Sequence, residues 1–339
     1  MAEGLQPDEF AATAARAVTA CTGLDLRTQA KNLAGDGLLG IIADEEVGGL
    51  ALPIGFAVPV IAAAHSGLLA FPLLETILVG RLLQSSLTRL AAAIVSGQKL
   101  ATIAWQGEAL TERQGGVLVL SGSLGRAPCA AKVDHILVRM SGGAAVLIPT
   151  DAEGVVVEDA AGLDLTVPEH NVRLEKVEVP IGSILPPGTW ATLNSDANVL
   201  RAAAILGSAE ACLSLAQEHA STRRQFGHAL SYNQAIRHAL ARQKLGLESI
   251  RHAITRSLSD GGGPVQRDAA FLAAATYGCS ISEGALQIHG GMGFTWDVPV
   301  HRHLRRIRTL QAQGDASGLI SMFGRRYVSE VAPFAEAGA

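Results

Sequence analysis

The amino-acid sequence predicts an α+β protein in which helices and strands occupy separate parts of the chain. Residues 1–98 have apolar residues at helical spacing, and residues 99–185 consist of short Val, Leu and Ile runs between Gly, Pro and Asp. Residues 186–339 return to helical periodicity. Since helices and strands do not alternate, this order predicts separate helical and β layers and not an alternating parallel sheet. We take the three segments as three domains.

The N-terminal segment is predicted to be helical with one interruption. An Ala-rich helix is expected from Asp8, the stretch GLLGIIADEEVGGLALP breaks the pattern, and apolar spacing resumes from Leu78 to Val95. Residues 47–74 carry no charged side chain and are long enough to cross a bilayer. Prolines interrupt them, however, and no Lys or Arg cluster flanks them. We therefore expect buried, proline-broken helices and no membrane span.

The middle segment contains several strand-like runs. They are GVLVLSG, VDHILVRM, AAVLIP, GVVVED and NVRLEKVEV, each bounded by residues that favour turns. In the last run the apolar face includes Leu174 and resumes at Val177, so its parity slips at Lys176. An uncorrected slip would turn the following side chains to the other face of the sheet. We therefore predict a β-bulge or a bend at Lys176.

The C-terminal segment is predicted to form long helices. Apolar residues recur every three or four positions from Val199 to Ala216 and again from Ile236 to Ile254. The stretch SDGGGP predicts a loop, after which Pro264 suits the first turn of another helix. That helix is expected to end at Gly290 and Gly291.

Composition argues against several classes of protein. The net charge of −4 and the lack of a basic stripe make nucleic acid a poor candidate partner. Four scattered cysteines fit reduced thiols better than a disulfide framework, and the N-terminus lacks the pattern of a secretory signal. His289, His301 and His303 have no acidic ligand at useful spacing. We therefore expect no metal and a cytoplasmic location.

Two motifs have both a structural and a functional interpretation. HGGMGF is rich in glycine like a dinucleotide-binding loop, but it ends a predicted helix where such a loop would begin one. Alone, it indicates a turn.

In STRRQFGHALSYNQ, an arginine pair suits a diphosphate and a phenylalanine suits the edge of a purine or flavin. The structural alternative is a solvated arginine pair with a core phenylalanine.

Taken together, parts of the sequence resemble the acyl-CoA dehydrogenase family over nearly the whole chain. The matching blocks are GLLGIIADEEVGGLAL, RRQFGHALSYNQAIRHALA and ALQIHGGMGFTWDVPVHRHLRR, in the family's order. The second is similar to the family signature R-x-x-F-G-x-x-L-x-x-x-Q, and the third to its Q-hydrophobic-x-GG-x-G-[FY] block. The resemblance implies an N-terminal helical domain, a middle β-barrel-like domain and a C-terminal four-helix bundle that also mediates oligomerisation.

The resemblance also implies FAD, an acyl-CoA substrate and a tetramer built from dimers. In the family, the helical C-terminal domain of one subunit holds the diphosphate and adenosine of its neighbour's FAD. Carried onto this chain, that cofactor-binding role falls to residues that all match the motifs. They are Arg223, Phe226, Gln234, Gln287, Gly290 and Gly291.

Other motifs of the family are missing. Its flavin-holding T-E-P is replaced by WQG at residues 105–107, with no G-S-D after it, and its Lys-x-Trp-Ile-[Ser/Thr] motif is replaced by GRAPCA at residues 125–130. Counting from GGMG places Gly314 where most members have the catalytic glutamate of Y-E-G-T. Some members instead keep a glutamate at the position of Arg224. We therefore expect no catalytic residue at either usual position.

The implied reaction is α,β-desaturation of a CoA thioester, which needs a base for the α-proton. Loss of a positioned base costs roughly 10²–10⁴-fold in rate, and a guanidinium at position 224 stays protonated. We therefore predict the non-catalytic subunit of a heteromeric acyl-CoA dehydrogenase. A sister subunit would carry the glutamate, the substrate would be bulky, such as a steroid side chain, and an electron-transfer flavoprotein or similar acceptor would take the electrons.

Two alternatives stay open. Asp315 is a candidate for the base of a self-sufficient homotetrameric flavoenzyme, and it also suits the N-cap of a helix that starts at Ala316. The other alternative is a flavin-free scaffold or interaction protein that keeps only the helical bundle.

Overall fold

A computed structural model describes residues 6–114 and 116–331. Within these residues, helices, strands and again helices follow one another in the predicted order. The helices are α1 (Glu9–Ala20), α2 (Leu26–Gly35), α3 (Ala57–Ser66), α4 (Leu73–Leu83), α5 (Thr88–Val95), α6 (Thr189–Thr222), α7 (Gln234–Leu258), α8 (Pro264–His289), α9 (Val300–Gln313) and α10 (Ala316–Val331). The strands are β1 (Ala101–Ile103), β2 (Leu110–Gln114), β3 (Val117–Pro128), β4 (His135–Arg139), β5 (Ala145–Pro149), β6 (Val155–Asp159), β7 (Glu169–Pro180), β8 (Ile184–Leu185), β9 (Arg224–Gln225) and β10 (His228–Ala229).

The middle segment folds into two four-stranded sheets. One has the strand order β1-β4-β5-β8 and the other has the order β2-β3-β7-β6. The β1–β4 pair is parallel, and the other pairs in the two sheets are antiparallel. A bridge between Ala109 and Met140 connects the sheets. The strand block thus lies where the sequence predicts it, and the division of the chain into three independent domains stays a prediction.

The irregularity predicted in β7 is confirmed. Leu174 pairs with Gly122 and Val177 pairs with Leu120, so β7 has one more residue than β3 between these two pairs. Lys176 lies in this interval with a φ of 55°. The extra residue forms a bulge, and Leu174 and Val177 are both buried on either side of it.

Two predictions of local structure are incomplete. The helix predicted from Leu78 to Val95 is two helices, because α4 ends at Leu83 and α5 begins at Thr88. The prediction also omits β2, whose sequence LTERQ is mostly polar. β2 is an edge strand that pairs only with β3 in its sheet, so it needs no strong apolar alternation. The short strands β1 and β8 are omitted as well.

Helices α6 to α9 form the C-terminal bundle. α6 and α8 run in the same direction, because Asn198 bonds to Asp268 near their starts and His219 stacks on His289 at their ends. α7 connects them and runs in the opposite direction, and α9 returns along the bundle after α8. The predicted positions of Pro264 in the first turn of α8 and of glycine after its last turn are confirmed.

The long apolar helix of the protein is a core helix. Among residues 6–114 and 116–331, α6 is the one helix that is long and apolar enough to cross a membrane, and 78% of its most apolar window is buried inside the protein. In the charge-free stretch 47–74, the α-helical residues are those of α3 and the start of α4, with Pro72 just before α4. This arrangement agrees with the predicted proline-broken helices.

Helix α6 approaches α3 closely at Gly207. A Cβ atom at this position would lie 1.9 Å from the carbonyl oxygen of Ala62 in α3, and backbone atoms cannot move aside as a flexible side chain can. We expect Gly207→Ala to lower the free energy of unfolding by about 1–3 kcal/mol, because the two helices must separate. Urea denaturation measures this change.

Gly324→Ala in α10 is the matched control for that substitution. No atom lies within 4 Å of a Cβ at Gly324, and alanine is favoured over glycine in a helix. The control should be neutral or slightly stabilising. Equal losses in the two variants would contradict the close contact of α3 with α6.

Candidate functional site

The arginine and phenylalanine motif forms a hairpin on the surface. After α6, strand β9 pairs with β10, and α7 follows. Phe226 and Gly227 make the turn with φ values of 54° and 85°, the positive values that a two-residue turn of this kind requires. Phe226 is 93% exposed, so the alternative of a core phenylalanine is wrong. Arg223 and Arg224 are exposed at the base of the hairpin.

The glycine motif lies at the end of α8. Gln287 is exposed in the last turn of this helix, and Gly290 follows it with a φ of 60°. A Cβ atom at Gly290 or at Gly291 would meet no other atom within 4 Å. The backbone of this turn therefore has free space beside it.

The helix directions bring the two motifs together. The last turns of α6 and α8 lie beside the first turn of α7, which contains the exposed Gln234. The His219 and His289 rings stack at this end with their centroids 4.5 Å apart. The predicted cofactor-binding residues thus share one exposed end of the bundle, and their role with a flavin stays a prediction. We call this group the arm surface: Arg223, Phe226, Gln234, Gln287, Gly290 and Gly291.

The position expected for the catalytic glutamate is filled by other side chains. Gly314 follows the last turn of α9. A Cβ atom on Gly314 would lie 2.4 Å from Cζ of Phe271 and 3.1 Å from Cδ of Arg201. Phe271 and Arg201 are both fully buried. A glutamate at position 314 would therefore require both side chains to move.

We call the space beside Gly314 that Phe271 and Arg201 occupy the filled site. Arg201 lies at its centre. Its Nη1 donates to the side-chain oxygens of Asn198 at 2.7 Å and Asn194 at 3.2 Å, and its Cζ lies 4.0 Å from the ring centroid of Trp105. Burial lowers the pKa of Arg201 to about 9, while the charge of Glu75 acts in the opposite direction. The guanidinium is therefore charged at neutral pH. Its Nε and Nη2 have no hydrogen-bond partner in the described part of the chain.

Trp105 is the first of the three residues that stand at the position of T-E-P. It covers the filled site on the side of the strand block. Its Nε1 donates to Oε1 of Glu75 at 2.9 Å, and its ring packs against Trp190 at a centroid distance of 6.1 Å. Arg201 contacts the Trp105 ring and also borders the space above Gly314. The interval between the expected flavin-holding and base positions is therefore occupied by protein.

Glu75 is a candidate residue that the sequence analysis missed. Burial raises the pKa of its carboxyl group, although the bond from Trp105 and the charge of Arg201 act in the opposite direction. Such a shift is common in general bases. The cavity beside Glu75, however, has a volume of about 40 Å³, which holds water and not a thioester. We assign Glu75 a structural role. In the sequence, Glu75 is the one acidic residue in the apolar run LLETILVG. An acidic residue in such a run is the pattern that could have identified it.

The GRAPCA segment is bound to α9 through a buried carboxylate. Glu169 accepts from Nη1 of Arg126 at 2.8 Å and from Nε2 of Gln313 at 3.0 Å, and it is 3% exposed. Gln313 directly precedes Gly314. These bonds therefore hold the end of α9 against the strand block.

A buried ion pair joins the strand block and α9 at a second point. Nε of Arg306 lies 2.6 Å from Oδ2 of Asp164, and both side chains are at most 5% exposed. Burial alone would raise the pKa of Asp164, but the charge of Arg306 and the hydrogen bonds from Thr166 and Arg306 hold it below its ordinary value. Burial lowers the pKa of the nearby His65 and also that of His303, to about 3. Both imidazoles are therefore neutral.

Asp315 caps α10. It is exposed, it has a φ of 48°, and its Oδ1 accepts the backbone N–H of Gly318 at 3.1 Å. The capping role predicted for Asp315 is confirmed. Arg224, the other position considered for a base, lies on the hairpin of the arm surface and carries no carboxylate.

The arm surface and the filled site are two separate places on the bundle. Phe271, beside Gly314, and His289, at the arm end, belong to the same helix α8. The helical rise between them corresponds to about 27 Å. The arm residues of this chain therefore do not line its own filled site.

The histidines considered as metal ligands do not converge. His289 stacks on His219, His301 packs against Trp296, and His303 is buried. Among residues 6–114 and 116–331, no group of three His, Cys, Asp or Glu side chains is placed to hold a metal ion. The four cysteines are buried and unpaired, in agreement with the expected reduced thiols.

Comparison with known proteins identifies relatives of this chain. A family model described as "Acyl-CoA dehydrogenase, C-terminal domain" matches residues 192–316. The chain is 27% identical over 281 residues to acyl-CoA dehydrogenase FadE34 of Mycobacterium tuberculosis. It is 34% identical over 180 residues to the mitochondrial short-chain specific acyl-CoA dehydrogenase of Bos taurus. These matches cover 81% and 49% of this chain, but 38% and 43% of the two relatives. The chain therefore spans less than half the length of either relative.

Solved structures share the fold over nearly the whole chain. A chain of the ChsE4–ChsE5 complex from Mycobacterium tuberculosis superposes with a TM-score of 0.87 at 24% identity, over 96% of this chain and 98% of that chain. A chain of the Tcur3481–Tcur3483 steroid ACAD superposes with a TM-score of 0.84 at 22% identity, over 96% of both chains. At these identities the likeness establishes the fold, with its helical, β and helical layers.

We expect Gly314→Ala to lower the free energy of unfolding by about 1–3 kcal/mol, because its Cβ would overlap the Phe271 ring. Phe271→Leu removes the ring atoms nearest to that Cβ. In a double-mutant cycle measured by urea denaturation, Gly314→Ala should therefore cost less in the Phe271→Leu background. Strictly additive losses would show that Phe271 does not fill this space.

We expect Asp164 to make the stability of the protein depend on pH in acid. Its pKa in the folded state is lower than the ordinary value of 3.8, so its contribution is fully present above that value and is lost as the pH falls through the folded-state pKa. Asp164→Asn should lower the free energy of unfolding at about pH 6 and reduce its decrease between about pH 6 and about pH 3.

Asp151→Asn is the control for this pH experiment, because Asp151 is exposed and forms no ion pair within the described residues. It should keep the pH dependence of the unmodified protein. A pH dependence in Asp164→Asn that equals that of the control would contradict the assignment.

Proposed function

Because residues 192–316 match the C-terminal domain of acyl-CoA dehydrogenases and the fold is shared over nearly the whole chain, we propose that this chain is the non-catalytic subunit of a heteromeric acyl-CoA dehydrogenase. The proposed assembly catalyses α,β-desaturation of a CoA thioester. In it, this chain lends its arm surface to the FAD site of a sister subunit, and the sister subunit provides the general base.

The filled site at Gly314 is the observation that carries the proposal. The family's catalytic glutamate would start from this position, but Phe271 and Arg201 occupy the space that its side chain needs. Trp105 covers the same place and is bonded to Glu75. A flavin ring with a bound thioester does not fit among these side chains.

The arm surface supports the second part of the proposal. Its residues fit the diphosphate and adenosine of FAD, since an exposed guanidinium at Arg223 can bind phosphate oxygens and Phe226 offers an aromatic face. The space beside Gly290 and Gly291 allows a ligand to approach the backbone closely. Bound FAD supplies the hydride acceptor of the desaturation. The residues of this chain hold one end of it and take no part in the proton transfer.

The sister subunit must bring what this chain lacks, namely the glutamate of Y-E-G-T and the T-E-P wall of the flavin ring. Two similar structures are a ChsE4–ChsE5 complex and a Tcur3481–Tcur3483 steroid ACAD, each named after two components. FadE34 is more than twice as long as this chain and has room for a second unit of similar size. We extend the proposal to a heterotetramer that acts on a bulky CoA thioester, such as one with a steroid side chain.

We place the proposed assembly in the cytoplasm, because buried free cysteines fit a reducing compartment. Its electrons would pass to an electron-transfer flavoprotein or a similar acceptor.

The two alternative functions lead to different expectations. A self-sufficient homotetrameric flavoenzyme would need Asp315 as its base, but the Asp315 side chain caps α10. A flavin-free scaffold would leave the arm surface without a ligand in every assembly.

Co-purification tests the proposal. Alone, the chain should show no visible flavin absorbance. Together with a sister subunit that carries the Y-E-G-T glutamate, it should yield a flavin-containing complex that acyl-CoA reduces, and Asp315→Asn in this chain should leave that reduction unchanged. Stoichiometric flavin in the lone chain, reducible by acyl-CoA, would refute the proposal. Absence of flavin from every pair would favour the scaffold.

Arg223→Gln tests the arm surface within that complex. A charge-assisted hydrogen bond to phosphate is worth about 1.5–3 kcal/mol, so flavin should be bound roughly 10–100-fold more weakly. Arg89→Gln on α5 makes the same charge change at another exposed arginine. Flavin fluorescence released on dilution measures both variants. Equal retention in the two variants would argue against the arm surface as a flavin contact.

A further inference from the structure

A small cationic pocket lies between the strand block and α9, apart from the arm surface and the filled site. It has a volume of about 100 Å³, and the loop from β6 to β7 forms one side of it. The first half of α9 forms the other side. The pocket is lined by Asp164, Leu165, Thr166, Trp296, Arg302 and Arg305.

The pocket carries positive charge that the protein does not balance. Arg302 and Arg305 are three residues apart, so they lie on the same face of α9. Neither forms an ion pair within residues 6–114 and 116–331, whereas Arg306 is paired with Asp164 and Arg308 with Glu283. The Asp164 carboxylate in the pocket wall is thus already neutralised. Two guanidinium groups at one small pocket, with no ion-pair partner in the described part of the chain, are therefore available to an anionic ligand.

Apolar side chains border the mouth of the pocket. Trp296 is 66% exposed and Leu165 is 64% exposed. The Trp296 ring is held by an edge contact with His301, whose centroid lies 5.0 Å away. An indole fixed in this way can stack with a flat aromatic ring at low entropic cost.

We propose that this pocket binds a purine nucleotide. A phosphate group enters between Arg302 and Arg305, where guanidinium donors match its oxygens, and the base stacks on Trp296 outside. A cavity of about 100 Å³ is too small for a peptide segment with its side chains but accepts a single phosphate group. This inference does not depend on the proposed subunit role, because the residues lie on this chain alone.

Tryptophan fluorescence of the full chain tests the proposal selectively. Trp105 and Trp190 are at most 8% exposed, so a change on adding ligand reports Trp296. ADP should change the emission in a saturable manner, and adenosine should bind at least tenfold more weakly because it lacks phosphate. Inorganic phosphate should displace ADP. CoA and FAD contain the same adenosine and diphosphate, and a tighter response to one of them than to ADP would identify it as the source of the nucleotide.

Matched double variants complete the experiment. Arg302→Gln with Arg305→Gln should weaken ADP binding by roughly tenfold or more, whereas Arg89→Gln with Arg242→Gln makes the same charge change on other exposed helix faces. Trp296→Phe should remove the emission change while calorimetry still detects ADP binding. Circular dichroism confirms that each variant is folded. An emission unchanged by ADP, or equal weakening in the two double variants, would overturn the proposal.

Discussion

A guanidinium group without a carboxylate partner within ion-pair distance lies in the middle of the described structure. The charge of Arg201 is instead surrounded by the face of Trp105 and by the amide oxygens of Asn194 and Asn198. Burying a cation is costly unless such groups replace its water, so its neighbours have little freedom to change. The ring of Phe271 and the stem of Arg201 leave room only for a glycine at position 314. The packing of Phe271 and Arg201 therefore excludes a glutamate side chain from this position in the described arrangement.

The helical bundle packs against the strand block at one end and is exposed to solvent at the other end. Where α9 meets the strand block, Glu169 accepts a hydrogen bond from Gln313, and Asp164 forms an ion pair with Arg306. Where α6 and α8 end, the residues that match the family motifs are exposed, and the turn at Gly290 and Gly291 has free space beside it. Because helix direction puts these ends about 27 Å apart, change at one end can proceed without disturbing the other. The proposed subunit role, in which this chain contributes only the arm surface to a flavin site, agrees with that separation.

Local patterns predicted those parts of the fold where burial follows sequence spacing. The periodicity of α6, α7 and α8, the strand runs and the bulge at Lys176 all belong to this class. β2 was missed because an edge strand with polar residues has no such pattern. The break between α4 and α5 was missed because Leu83 and Leu87 keep helical spacing on either side of three polar residues. The contacts of Arg201 with Trp105 and of Arg306 with Asp164 join residues about a hundred positions apart or more. No spacing rule predicts such pairs, so the sequence placed a glycine at position 314 but did not indicate which side chains pack around it.

The exposed hairpin affects how a lone copy of this chain interacts with other proteins. Phe226 and Tyr232 stand largely in solvent on a lone copy. Contiguous exposed apolar surface favours association with other proteins. In the proposed heteromer the sister subunit would cover these rings, and copies made in excess of that subunit would keep them exposed. Matched synthesis of the two proposed subunits would avoid this exposure.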